Sequence, residues 1–180
     1  IRREHTGRGC VVDGSLYETA LAWMTIPIVS ALASGKEPRK SGSETPMLAP
    51  YKAYKARDRY VVIAAGNDNL FRRLCAALDF PELAKDLRFV TNADRIANRE
   101  ILNSIIEAKI GQRTADAWVE LLNADGIPCA PTQSVLETIS HPQTVALEMI
   151  ASTPDNKMQL VRTPLRFNGL RPEIRKSPPK

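Results

Sequence analysis

Tyr51-Lys52-Ala53-Tyr54-Lys55-Ala56-Arg57-Asp58-Arg59-Tyr60-Val61-Val62-Ile63-Ala64-Ala65-Gly66-Asn67-Asp68 reads as a hairpin that runs directly into a helix. Residues 51–55 alternate, 56–59 supply turn residues, and 60–65 form a short β-branched run, the pattern of a half-buried antiparallel pair. Tyr51 and Tyr54 are expected on one face of the first strand, in core or interface. Gly66 ends the second strand and Asn67-Asp68 offers a helix cap. Leu70, Phe71, Leu74, Cys75 and Leu78 then recur at helical spacing.

Downstream, Ile101, Leu102, Ile105 and Ile106 mark a second helix, with its start placed within residues 95–99. Thr114 is positioned to cap a third helix carrying Trp118, Leu121 and Leu122. Gly126 stands where left-handed backbone closes a helix. Ile127-Pro128-Cys129-Ala130-Pro131 must be extended, and its two prolines restrict it to a sheet edge. Residues 134–139 and 142–149 read as short helices, with His141 as a turn or cap residue. From Leu160 onward the chain is basic and broken by Pro164, Pro172, Pro178 and Pro179, the composition of an arm lying on a surface.

Upstream, Ser15-Leu16-Tyr17-Glu18 has the form of a capping box. The helix it opens is apolar nearly all round through Leu32, which predicts a buried helix, kinked or split at Pro27. Residues 36–46, rich in Pro, Gly, Ser and charge, read as a linker. These elements make an α+β chain: residues 1–35 a helical piece, 36–48 a linker, 49–145 a small helix-and-sheet domain, and 146–180 a return arm.

The 180 residues, 43% hydrophobic and 25% charged, have ordinary globular composition, which excludes collagen and wholesale disorder. The net charge of +5 is unevenly spread: 0 over 1–35, +4 over 36–60, −5 over 61–156 and +6 over 157–180. Basic residues are not interleaved with aromatics, so nucleic acid is not an expected partner. The longest uncharged run, residues 19–35, falls short of the roughly 20 apolar residues a membrane span needs. Three widely spaced cysteines make neither a zinc site nor a disulfide framework and point to a reducing compartment, here the cytoplasm, or the mitochondrial matrix if the source is eukaryotic. With neither initiator methionine nor leader pattern, the chain is expected to be a fragment or a processed product.

Chemistry-bearing motifs are sparse. Two histidines, His5 and His141, do not make a metal site. No dinucleotide fingerprint, phosphate loop or nucleophile elbow occurs. Cys75 and Cys129 read as packed thiols, and Asp13 as a turn or cap acid.

The order of local phrases is more specific. Thr6-Gly7-Arg8-Gly9 precedes Val12-Asp13-Gly14-Ser15-Leu16-Tyr17-Glu18. Ala49-Pro50-Tyr51 then leads to Asp58 through Gly66, followed by Arg95 with Asn98-Arg99, Gly126 through Pro131, and His141-Pro142-Gln143. This series resembles the C-terminal half of the class III CoA-transferases, the formyl-CoA and carnitine CoA-transferase type, a group that includes α-methylacyl-CoA racemases.

The resemblance implies a large domain, a small α+β domain and long linkers, with two chains interlocked as a homodimer. It implies transfer of CoA from a thioester donor to a carboxylic acid through an aspartyl intermediate. CoA is then a substrate, with no covalently bound cofactor. The family aspartate lies upstream of Thr6, so no catalytic residue is expected in this chain, and the isolated chain is expected to be inactive. Ser43, Glu44 and Tyr51 are substrate-proximal candidates by analogy with the family's glycine-rich linker loop, which this chain replaces with Ser41-Gly42-Ser43-Glu44-Thr45-Pro46-Met47. The racemase acid falls at Asn67 in an ungapped match, with Asp68 adjacent. Racemase, and a non-catalytic binding or assembly module with a basic arm, are the alternatives.

Overall fold

The computed structural model describes residues 2–177; Pro178 and Pro179 lie outside them. The chain divides into two compact units, Ile1–Gly42 and Ser43–Lys180.

The first unit holds three helices, α1 (Arg2–Thr6), α2 (Leu16–Trp23) and α3 (Thr25–Ser34). Ser15 caps α2 by accepting the Glu18 N–H, while the Glu18 carboxylate takes the Ser15 hydroxyl instead of a backbone N–H. Pro27 cannot donate to the Trp23 carbonyl, so the helix breaks just before it, at Met24, with a bend of 64°. The burial predicted from composition is not found. Leu16 and Trp23 are 91% and 85% exposed, and neither α2 nor α3 has a buried residue. Two short apolar helices beside the polar α1 (Arg2-Arg3-Glu4-His5-Thr6) supply no sheet or long helix for one another to pack on. Among the described residues no single helix is long and apolar enough to cross a membrane, although the bent pair α2–α3 has the length and composition when taken together.

The second unit is built on the hairpin. Strands β1 (Tyr51–Lys55) and β2 (Tyr60–Ala64) pair antiparallel, with Tyr51 opposite Ala64 and Lys55 opposite Tyr60. β3 (Cys129–Pro131) joins the free edge of β2, giving the order β1-β2-β3. The outer face of β3 is closed to further pairing at Pro131, which has no N–H to offer. Side chains alternate along β1, so Tyr54 is fully buried while Tyr51 is 38% exposed. The two tyrosines, three residues apart, cannot share a face in a strand of period two.

The buried face of the sheet carries Tyr54, Val61 and Ile63. Against it pack α4 (Asp68–Ala77), α6 (Arg99–Ile110) and α7 (Ala115–Ala124), with a 3₁₀ turn at Pro81–Lys85 and α5 (Asn92–Ala97) between them. Asn67 caps α4 and Thr114 caps α7, as their positions predict. Phe71, Leu74, Cys75 and Leu78 form the core stripe of α4. Trp118 fills the centre and donates its indole N–H to the Ile110 carbonyl at 2.7 Å. Gly126, at φ +63°, turns the chain from α7 towards β3 at a conformation costly for any other residue.

Two details differ from the sequence reading. A capping box of Thr91 and Asp94 starts α5, so Arg95 belongs to a separate short helix that ends before Arg99 opens α6. Ile101 is 47% exposed because Leu102 and Ile106 already fill the face of α6 turned to the sheet.

The remainder comprises α8 (Val135–Ser140), α9 (Pro142–Ala146) and a small antiparallel hairpin, β4 (Ile150–Ser152) with β5 (Gln159–Val161). His141 caps α9 by accepting the Gln143 N–H at Nδ1. The β4–β5 hairpin was not foreseen, since strands of three residues are too short to show alternation. The buried Thr153 hydroxyl closes its turn, donating to Asp155 at 2.6 Å and accepting the Met158 N–H.

The three thiols should report this packing. Burial pushes the Cys75 thiol up to about 12, and also raises that of Cys129. Alkylation of the native protein near pH 8 is expected to label exposed Cys10 and to leave Cys75 unmodified until denaturant is added. Mass mapping that found Cys75 labelled as fast as Cys10 would contradict the fold.

Candidate functional site

The candidate residues at the start of the second unit lie on or beside a strap, residues 43–49, that leads into β1. Its polar groups are gripped by side chains of α5 and α6. Asn92 donates to the Met47 carbonyl (2.9 Å) and accepts the Ala49 N–H (3.1 Å). Arg99 donates to the Glu44 carboxylate and to the carbonyls of Thr45, Pro46 and Leu48.

Deeper still lies Arg95, with no solvent exposure. Its Nε donates to the Ala49 carbonyl (2.6 Å), Nη1 to Phe89 and Val90 carbonyls (3.1 and 3.2 Å), and Nη2 to the Gly66 carbonyl (2.9 Å) and Asp68 Oδ1 (2.8 Å). All five N–H donors of the guanidinium are thereby used. Its Cζ also lies 4.6 Å from the Phe71 ring centroid, a cation–π contact. A buried charge is tolerated only when paired and fully hydrogen-bonded, and this one joins the strap, the end of β2 and the start of α4.

Glu44 sits in a second polar cluster. Its Oε2 accepts from Arg99 (3.1 Å) and its Oε1 from Asn103 Nδ2 (2.7 Å), with Lys52 Nζ at 3.6 Å. Asn103 in turn accepts the Tyr54 hydroxyl at 2.7 Å. Burial, then the nearby Glu44 and Glu107 charges, push the Tyr54 phenol well above its ordinary range, so it stays a hydrogen-bond donor. Lys52 also reaches Glu107 at 3.9 Å.

The structure thus gives each candidate a definite place. Ser43 Oγ accepts the Ala53 N–H on the open edge of β1. Glu44 is turned inward onto α6, both oxygens occupied. Tyr51 is partly exposed on the other face of β1 from Tyr54. Asn67 Oδ1 accepts the Leu70 N–H as the cap of α4, and an amide so committed cannot serve as an acid or base. Adjacent Asp68 faces Arg95. Ser43 and Glu44 share the strap, and Asp68 is linked to the end of the strap through Arg95.

Arg95, Arg99, Asn92 and Asn103 were not singled out as site residues from the sequence. The available signal was the pair of arginines four residues apart in Arg95-Ile96-Ala97-Asn98-Arg99. Elsewhere in this unit, a groove of about 650 Å³ is lined by Val135, Ile139, Met149 and Leu160, among other uncharged residues. That lining offers an apolar surface and no proton-transfer group. Among the described residues no group of three or more His, Cys, Asp or Glu side chains is placed to hold a metal ion.

Comparison with known proteins places this architecture. The model of CoA-transferase family III matches residues 1–180, and the chain belongs to that family. It is 34% identical over 167 residues to the acetyl-CoA:oxalate CoA-transferase of Acetobacter aceti, covering 93% of this chain and 42% of the relative. It is 30% identical over 182 residues to the succinyl-CoA:glutarate CoA-transferase of Mus musculus, covering 99% and 42%. The crystal structure of a CaiB/BaiF family protein from Brucella suis superposes with a TM-score of 0.81 at 34% identity, over 99% of this chain and 47% of that one. The chain therefore spans less than half the length of the relatives it matches.

Replacing Arg95 tests the clamp. Arg95→Ala leaves four buried or half-buried carbonyls without their donor and is expected to cost about 3–5 kcal/mol in urea unfolding. Arg95→Lys, with three donors in place of five, should recover only part of that loss. A wild-type midpoint for either variant would refute the central role of the guanidinium. Gly66→Ala offers an independent check. A Cβ there would meet Leu48 Cβ at 2.7 Å, and the forced shift of the strap is expected to cost about 1–3 kcal/mol.

Proposed function

We propose that this chain is the C-terminal part of an acyl-CoA:carboxylate CoA-transferase, which moves CoA from a thioester donor to a carboxylic acid. The observation that carries this reading is the match along all 180 residues, together with relatives whose names all describe CoA transfer. Those relatives are named for oxalate and glutarate, so a small dicarboxylate is the acceptor class proposed here. The whole enzyme is proposed to be a homodimer acting in the cytoplasm, or in the mitochondrial matrix of a eukaryote.

In this reading the nucleophile is an aspartate outside these 180 residues. Its carboxylate attacks the donor thioester carbonyl and the CoA thiolate leaves, giving a mixed anhydride. The thiolate then attacks the aspartyl carbonyl, releasing the donor acid and leaving an aspartyl-CoA thioester. The acceptor carboxylate attacks that thioester, the thiolate departs again, and its return to the new acyl carbonyl regenerates the aspartate. No electron acceptor and no metal is needed to balance these steps.

The polar cluster of this chain supports a holding role. The oxygens of Glu44 are engaged by Arg99 and Asn103, and Asp68 is engaged by Arg95. The Asn67 amide cap also speaks against proton abstraction of the racemase kind at that position. Ser43, Glu44 and Tyr51 are accordingly proposed to shape the surroundings of the acyl site without taking part in bond making.

The test compares the full-length enzyme with residues 1–180 alone, supplied with acetyl-CoA or succinyl-CoA and with oxalate or glutarate. Chromatography of the CoA esters is expected to show a new dicarboxyl-CoA only with the full-length enzyme. Transfer by residues 1–180 alone, or none by the full-length enzyme with any donor and acceptor, would overturn the reading.

A further inference from the structure

The strap turns its backbone polar atoms and Glu44 inward and leaves part of its apolar surface open. Glu44, the carbonyls of 45–49 and the Ala49 N–H are all bound by Asn92, Arg95, Arg99 or Asn103. Met47 and Leu48, by contrast, are 60% and 39% exposed. Just before the strap, Gly42 has φ +58°, and a Cβ there would meet nothing within 4 Å. The boundary between the two compact units falls between Gly42 and Ser43.

We propose that Glu44 is a latch: through Arg99 and Asn103 it fastens the strap to α6, so that residues 43–49 belong to the rigid body of the second unit and any change of direction along the connection is confined to residues 36–42. Glu44 is therefore a positioning residue, whatever substrate the whole enzyme takes.

Three features support this assignment. Glu44 is the carboxylate within reach of the Arg99 guanidinium, whose side chain is only 17% exposed; without it Arg99 would hold carbonyls alone, with its charge uncompensated. Lys52 reinforces the site from β1, shared between Glu44 and Glu107. The orientation of Asn103 is also set from within the core. The Tyr54 hydroxyl donates to Oδ1, which leaves Nδ2 to face Glu44. A donor chain thus runs from the buried sheet face, through Asn103, to the first strongly anchored residue after Gly42. Ser43 adds a weaker tie, its Oγ accepting the Ala53 N–H at 3.2 Å.

The chain of donors can be reversed without changing its shape. Asn103→Asp sets two carboxylates against each other. The double change Glu44→Gln with Asn103→Asp restores one donor facing one acceptor, and keeps a carbonyl for Arg99 and an acceptor for Tyr54. Amide hydrogen exchange of the purified chain, read by mass spectrometry, reports the result. Asn103→Asp is expected to speed exchange over residues 43–53 about tenfold or more, as befits loss of a charge-assisted bond, with α4 unchanged. The double variant should return to within about twofold of wild type. Tyr54→Phe, which keeps the ring in the core, should speed the same segment by a smaller factor.

The proposal is overturned if Asn103→Asp leaves residues 43–53 unchanged, if exchange rises equally in α4, or if the double variant exchanges as fast as Asn103→Asp alone.

Discussion

A single buried guanidinium organises the second unit. Arg95 has no solvent to share its charge with, and each of its N–H groups ends on a protein oxygen. Those oxygens belong to four separate places in the chain: the end of the strap, the loop before α5, the end of β2 and the first residue of α4. Moving any of them would strand a donor in a medium where an unmade hydrogen bond costs about 1–3 kcal/mol or more. The strap cannot lift, and the hairpin cannot slide, without also disturbing the start of α4. Gly66 meets the same constraint from the other side, since the strap passes so closely that Leu48 occupies the space a side chain would need.

Around this centre the carboxylates play holding roles. Asp58 accepts the Ala115 N–H, and that bond draws its carboxyl below the ordinary range while tying the hairpin turn to the start of α7. Arg59 reaches from the same turn to Asp116 and Glu137, linking the hairpin with α7 and α8. These pairs are largely exposed and individually weak, but their partners lie on different elements, so they favour one arrangement of the hairpin ends.

The proposed function divides the labour between this chain and the rest of the enzyme. A segment that covers less than half of its relatives, with its candidate acids tied to arginines and an amide, is suited to framing a site. The first unit is consistent with that view: α2 and α3 carry large apolar side chains that find no burial within their own helices. Their exposure in this structure and their apolar composition are two aspects of one fact, namely that short helices bury their surface only against other elements.

Local chemistry settled much of this structure in advance. The β1–β2 hairpin, the Asn67 and Thr114 caps, the left-handed Gly126 and the edge position of Pro128 to Pro131 all depend on residues a few positions apart. Backbone sterics and capping bonds act at that range. What stayed hidden depends on distance along the chain. The strap is gripped by residues 43 to 59 positions away, so the sequence could nominate Glu44 but could not say that it faces inward onto α6. The β4–β5 strands are too short to carry a period, and the exposure of α2 rests on what surrounds it, which no helical pattern encodes. The role of Arg95 is the clearest case. An arginine in Ala93-Asp94-Arg95-Ile96-Ala97 reads as a surface charge, and only the closing of two distant segments, at Ala49 and at Gly66 to Asp68, around it and its own preceding loop turns it into the buried centre of the unit.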